Sequence, residues 1–247
     1  MNNSILLLLA CGAYPVVCGA APAARETVHF KTAGGCSIEA AYHAPASGSP
    51  VFINIHGLGS NKGEWRTLES GAEKRGYGYL SIDLRGHGGS LECPGRRLDY
   101  KSFSPAQWGG LSEDIKAAAD YLKDRKIARG RIVLCGASIG ANLSLKAAAE
   151  GLKPAGIILL SPGLSYAGIE SVIYLNQIEA KPLLLAASEN DPYAWQSAGR
   201  MLIAAKTRGI PAVFRQGPGG HGANMLSDAE PALLNFIFEW VKGLGLK

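Results

Sequence analysis

No charged side chain stands before Arg25, and no run of Lys or Arg or basic–aromatic stripe occurs anywhere in the 247 residues. The net charge of +5 therefore reads as a solvated surface with a few extra cations, and nucleic acid is not an expected partner. Internal repeats, low-complexity tracts and composition shifts are also missing, which leaves nothing to mark a second domain. Cysteine is scarce. Of five, Cys11 and Cys18 fall in the uncharged leader, and Cys36, Cys93 and Cys135 are an odd number without C-x-x-C spacing. Neither a disulfide framework nor a zinc site is indicated. Cys135 reads as a small buried hydrophobe; the sequence does not fix whether Cys36 and Cys93 pair.

The uncharged start has its own reading. Ile5 to Ala10 is apolar, Pro15 interrupts, and Gly19-Ala20-Ala21-Pro22-Ala23 supplies small residues for a signal peptidase. A secretory signal peptide over 1–23 is expected, with cleavage around Ala20 to Ala23, although no Lys or Arg precedes its apolar core. Two other readings stand beside it. An uncleaved anchor would need a longer unbroken apolar stretch. A lipoprotein signal would use Leu8-Leu9-Ala10-Cys11 as its lipobox. Export to the periplasm or beyond the cell follows, with membrane contact only through this N-terminus. Residues 24–247 are then one domain, and at 47% hydrophobic and 18% charged the chain can bury a large core.

Thr27 to Lys31 and Ser37 to His43 read as short strands around a Gly34-Gly35 turn. After them apolar runs alternate with helical patterns. Strands are expected at Val51–Ile55, Tyr79–Ile82, Ile132–Cys135, Ala155–Leu160, Pro182–Ala187 and Pro211–Arg215. Helices are expected near Trp65–Arg75, from Ser112 as cap, after Ser138, over Ala194–Thr207, and from Ser227 or Asp228 to Lys242. Ile115, Ala118, Ala119 and Leu122 make a buried stripe at helical spacing. The strand runs are apolar throughout rather than alternating, so both their faces should be covered by helices. The fold class is α/β, with a mostly parallel twisted sheet between helical layers.

Arg131 to Gly151 is the stretch around which the chemistry gathers. An apolar strand leads into Gly136-Ala137-Ser138-Ile139-Gly140, and a helix of good formers follows. Composition alone yields roughly 0.3 chance matches to G-x-S-x-G, so the bare motif is weak. Its strand–turn–helix context is what a nucleophile elbow needs. Serine requires a base, and the base an orienting acid. Asp191 follows the Pro182–Ala187 strand, and His221, the one histidine after Ser138, lies in a glycine-rich loop after Pro211–Arg215. The candidate triad is Ser138, Asp191 and His221, with Glu189 as a distant second acid. Ile139 N–H and Leu58 N–H, the latter in the turn after Val51–Ile55, are the candidate oxyanion donors. His29 and His43 have no partner motif and read as structural or surface residues.

With His56-Gly57-Leu58-Gly59, Asp83-Leu84-Arg85-Gly86-His87-Gly88-Gly89-Ser90, Gly136–Gly140, Glu189-Asn190-Asp191 and Gly220-His221-Gly222 in place, the chain from about residue 27 resembles the α/β-hydrolases. The resemblance implies an α/β-hydrolase fold and makes Asp83 and His87 scaffold. The family's usual Gly before the acid is here Ser188. Ser138 argues against the Asp-nucleophile dehalogenases and epoxide hydrolases. It also separates the chain from dienelactone hydrolase, whose nucleophile is Cys, although the small size is similar. Only about twenty residues separate the strands at Leu160 and Pro182, so no large lid domain is expected. Residues 91–108 and 163–178 are the expected substrate walls. Arg96 and Arg97 would either favour acidic substrates or simply be solvated. A serine esterase acting on small or accessible esters, with no metal or organic cofactor, is the expected function. A peptidase or thioesterase with the same triad and a non-catalytic binding protein are the alternatives. The acyl group and the oligomeric state are not readable.

Overall fold

The computed structural model describes residues 24–246, so the leader expected over 1–23 lies outside the described residues. Strands β1 (Glu26–Lys31) and β2 (Ser37–His43) pair antiparallel, with Glu26 opposite Tyr42 and Lys31 opposite Ser37. Six further strands are β3 (Val51–Ile55), β4 (Gly78–Ile82), β5 (Ile132–Ala137), β6 (Gly156–Leu160), β7 (Leu183–Ala187) and β8 (Ala212–Gln216). They stand in the order β1-β2-β4-β3-β5-β6-β7-β8. Beyond the antiparallel β2–β4 pair, every neighbour from β4 to β8 is parallel. From β3 the chain goes first to one side, to β4, and then to the other, to β5. Their C-terminal ends therefore flank a topological switch point, where open sheets hold their ligands.

Both sheet faces are covered. Ile53, Ile55, Leu134, Leu159 and Leu185 point into a core shared with helices α2 (Ser112–Asp124), α3 (Ile139–Ala149) and α4 (Pro192–Thr207). Their chain neighbours Phe52, Val133, Cys135, Ile158 and Leu184 point the other way, onto α1 (Arg66–Glu73) and α5 (Ala232–Gly243). Strand side chains alternate faces, so a strand apolar at every position can exist only between two such layers. The expected α2 stripe, Ile115, Ala118, Ala119 and Leu122, is fully buried. This is the α/β-hydrolase fold, with no large additional domain among the described residues. Between β6 and β7 there is only a two-residue-armed hairpin, Ser165–Tyr166 against Ile169–Glu170, and one short helix, Ser171–Leu175.

Two expected helix starts shift, each because a side chain found another partner, and one first-turn acid turns inward. Ser112 does not cap α2; Leu111 precedes the helix, and the Ser112 hydroxyl donates to Glu150 at 2.7 Å. Asp114 lies in the first turn of α2. It is buried, pairs with the Arg85 guanidinium at 2.5 Å and accepts Arg85 N–H at 2.8 Å. The last helix begins at Ala232, because Ser227 folds into a turn, its hydroxyl accepting Ala229 N–H at 3.1 Å. Pro231 then stands just ahead of the helix.

Residues 91–110 also carry more order than their sequence suggests. They hold a small hairpin, Glu92–Cys93 against Arg96–Arg97, then a turn and the short helix Pro105–Gly109, started by a Ser104–Gln107 capping box. Cys93 is disulfide-bonded to Cys36, fastening this segment to the start of β2 across 57 residues of chain. A loop of that length gives about 4 kcal/mol in the chain-entropy treatment, taken as an upper value. Cys93→Ala should lower denaturant stability by about 2–4 kcal/mol, read from the chemical unfolding midpoint without reductant. Cys135 is free and fully buried, and burial pushes its thiol well up.

Candidate active site

The site is built where β3, β5, β7 and β8 end. At the end of β5 the chain turns into α3 through Ser138, whose φ of +55° and ψ of −122° are costly for a residue with a Cβ. Two glycines make the turn feasible by contact rather than by their own φ. A Cβ on Gly140 would lie 2.2 Å from Ile55 O, and one on Gly136 would lie 2.2 Å from Gly140 O. The helix is thereby seated against the end of β3. Ser138 N–H donates to Leu160 O at 2.8 Å, which fixes the turn to β6.

Asp191 caps α4, accepting Ala194 N–H at 3.4 Å with one carboxylate oxygen. Its other oxygen lies 2.5 Å from His221 Nδ1. The acid is thus held by its helix and presented to the ring. The His221 loop is fastened at both flanks, Gly220 N–H to Asn190 Oδ1 at 3.1 Å and Gly222 N–H to Ser161 Oγ at 2.9 Å. Gly222 has φ +60°, and a Cβ there would lie 3.2 Å from Ala137 Cβ, so the loop backbone abuts the Ser138 turn. Glu189 is exposed and makes no bond to the ring among the described residues. The acid facing His221 is Asp191. No hydrogen bond joins Ser138 to His221 among the described residues; the His221 side chain is 46% exposed, and the site opens to solvent.

The His56–Gly59 turn sits against Ser138, since a Cβ on Gly57 would be 3.5 Å from Ser138 Cβ. Neither Leu58 N–H nor Ile139 N–H has a partner among the described residues, while Gly57 N–H is taken by Glu64 at 3.1 Å. Ile139 N–H opens α3, at the positive end of its dipole. Leu58 side chain is 56% exposed beside this turn.

Under the turn lies a buried histidine pair. His56 Nε2 accepts Leu84 N–H at 3.0 Å, so Nδ1 carries the proton donated to Gly57 O at 2.7 Å. His87 Nε2 accepts Gly59 N–H at 3.4 Å, and Nδ1 donates to Arg85 O at 3.1 Å. Both rings are therefore neutral connectors. Burial, and then the neighbouring His87, lower His56 to about 4, and burial lowers His87. Asp83 is buried and takes Lys62 N–H at 2.6 Å and Gly89 N–H at 2.7 Å. Scaffold is its role, as for His87. A depressed folded-state His56 means the unfolded chain binds the proton first. Its stability contribution is present above pH 6.5 and is lost as pH falls towards 4, by up to about 3 kcal/mol. Urea midpoints at pH 7, 5.5 and 4 should fall accordingly, and the fall should be shallower in His56→Gln.

Four residues near the site were not singled out from sequence. Ser161, at φ +48°, holds Gly222. Its signal was available, as the first residue past β6, the strand beside the one that leads into Ser138. Tyr166, within the expected 163–178 wall, meets the His221 ring edge-on at 6.4 Å. Its hydroxyl is pushed up to about 12, chiefly by burial and then by Asp191, with Ser138 opposing, and it donates to Ser161 O at 3.4 Å. Tyr193 of α4 holds that hairpin, donating to Ser165 O at 2.9 Å. Glu64 has no motif signal at all. In the 91–108 wall, Tyr100 stacks on His87 at 4.1 Å and its hydroxyl approaches Gly59. Arg97 pairs with Glu92 at 2.9 Å, and Arg96 lines a small apolar cleft with Leu98, Phe103 and Leu111.

The model of the alpha/beta hydrolase family matches residues 51–237. The chain belongs to that family. A search of curated proteins found no match. Among solved structures, DcsB in complex with its substrate analogue superposes with TM-score 0.72 at 15% identity, covering 89% of this chain and 99% of that one. The Pyrococcus furiosus esterase Pf2001 gives 0.67 at 19% identity, over 90% and 91%. The acetyl xylan esterase of Paenibacillus sp. R4 gives 0.69 at 18% identity, over 94% and 86%. At these identities the likeness is one of fold.

Proposed function

We propose that this family member is a serine hydrolase that cleaves carboxylic esters of small or accessible substrates. The observation that carries the reading is the Asp191–His221 hydrogen bond at 2.5 Å, in a loop packed against the strained Ser138 turn. Ser138 Oγ attacks the acyl carbon as His221 Nε2 takes its proton. Asp191 holds the ring through Nδ1–H and stabilises the imidazolium. Leu58 and Ile139 N–H groups, both without other partners among the described residues, receive the oxyanion. The proton passes to the departing alcohol, and water then releases the acyl group by the same route. The open Ser138–His221 contact is ordinary for such a pair and tightens on the bound substrate.

An exported enzyme is part of the proposal. The Cys36–Cys93 bridge supports it, because such bonds persist in oxidising compartments. The test is turnover of p-nitrophenyl esters from acetate to decanoate by the full chain, beside a thioester and a peptide anilide. Preference for short acyl esters is expected from a site without a lid domain. Preference for the thioester or anilide would reassign the substrate class, and a folded chain that turns over none would favour a binding protein.

A further inference from the structure

Outside the proposed triad, Glu64 is a half-buried acid near the site with no assigned role. It lies in the turn Lys62–Trp65, which is pinned by Lys62 to buried Asp83 and by the fully buried Trp65. The turn packs against β3 on one side and against Gly222–Met225, directly after His221, on another. Glu64 Oε1 accepts Gly57 N–H at 3.1 Å. The carboxylate thus sits between the turn that offers Leu58 N–H and the loop that offers His221.

We infer that Glu64 is a positioning residue for the acyl-transfer site, aiming the Leu58 N–H through Gly57 and placing a second negative charge beside His221. The inference rests on the serine-hydrolase reading above. Glu64 itself neither gains nor loses a proton in the cycle; the Ser138 proton moves to His221 and on to the leaving alkoxide. Its charge favours the imidazolium formed when that proton arrives, and its hydrogen bond stops Gly57 from rotating the neighbouring N–H away. Asp191 at Nδ1 and the edge-on Tyr166 face His221; Ser60, Gly57 N–H and His221 face Glu64, and buried Cys135 senses its charge. Burial raises Glu64, while those partners draw it back.

The test is kinetic, on full-length Glu64→Gln, Glu64→Asp and Glu64→Ala with a short p-nitrophenyl ester. Glu64→Gln keeps an oxygen for Gly57 and loses the charge. It should lower kcat about 10-fold with KM within about twofold, and move the acid limb of kcat/KM to lower pH by about half a unit. Glu64→Asp keeps the charge but withdraws it from Gly57, so kcat should fall while the acid limb stays. Glu64→Ala should lose more than Gln, which would count as rescue by the amide. A wild-type chain that turns over, with Gln and Asp variants matching it in kcat and pH profile, overturns the role of Glu64 and leaves the triad standing. A folded wild type with no turnover or probe labelling overturns both. Should Gln not fold, the Asp variant alone decides, since an unchanged kcat there excludes the positioning role.

Discussion

Ser138→Ala is expected to abolish ester turnover and fluorophosphonate labelling while leaving the protein as stable as before. The substitution keeps the Cβ, so the strain of φ +55° is unchanged, and the Ser138 side chain makes no cap bond to α3 whose loss would be felt. Stability should stay within about 0.5 kcal/mol. Activity should drop by about 10³- to 10⁶-fold, because a triad without its nucleophile keeps only what the oxyanion donors and binding supply. Steady-state kinetics and a thermal melt on the same preparation separate the two effects. An active Ser138→Ala would remove the serine from the chemistry.

Gly140→Ala should do the reverse and damage the fold before the chemistry can be measured. The new Cβ would stand 2.2 Å from Ile55 O and 2.7 Å from His56 O, and both are backbone atoms that cannot turn aside. Relief requires the first turn of α3 to lift from the end of β3, and fully buried neighbours oppose that movement. Overpacking of this kind costs about 3 kcal/mol or more, a large part of ordinary domain stability. The thermal midpoint should fall by roughly 10 °C, or the variant should be insoluble. Retained activity would be lost with it, since the displaced turn carries Ile139 N–H. A melt unchanged from wild type would show that the helix is not seated as described.

What could be read in advance follows from where the information is local. The apolar runs of β3 to β7 announced a sheet covered on both faces, because no other arrangement buries every position. Ser138, Asp191 and His221 each follow their own strand, so chain order alone placed them at one sheet edge. Ser188, where the family usually has Gly, did not disturb this; it is buried with its hydroxyl against Gly217. What stayed unreadable depends on partners far along the chain. Asp114 looks like any first-turn acid until Arg85 meets it from 29 residues away. The Cys36–Cys93 bond needed the fold of residues 91–110 to bring its ends together. Glu64 and Tyr166 belong to no motif, and only the packing of their turns against the His221 loop or Ser138 makes them part of the site.

The most direct measurement is peptide mapping by mass spectrometry of the full chain after reaction with a fluorophosphonate. One adduct per molecule, carried by the peptide containing Ser138 and absent from denatured protein, is the expected result. An adduct on a different serine, or none on protein shown to be folded, would contradict the assignment of Ser138 as the nucleophile.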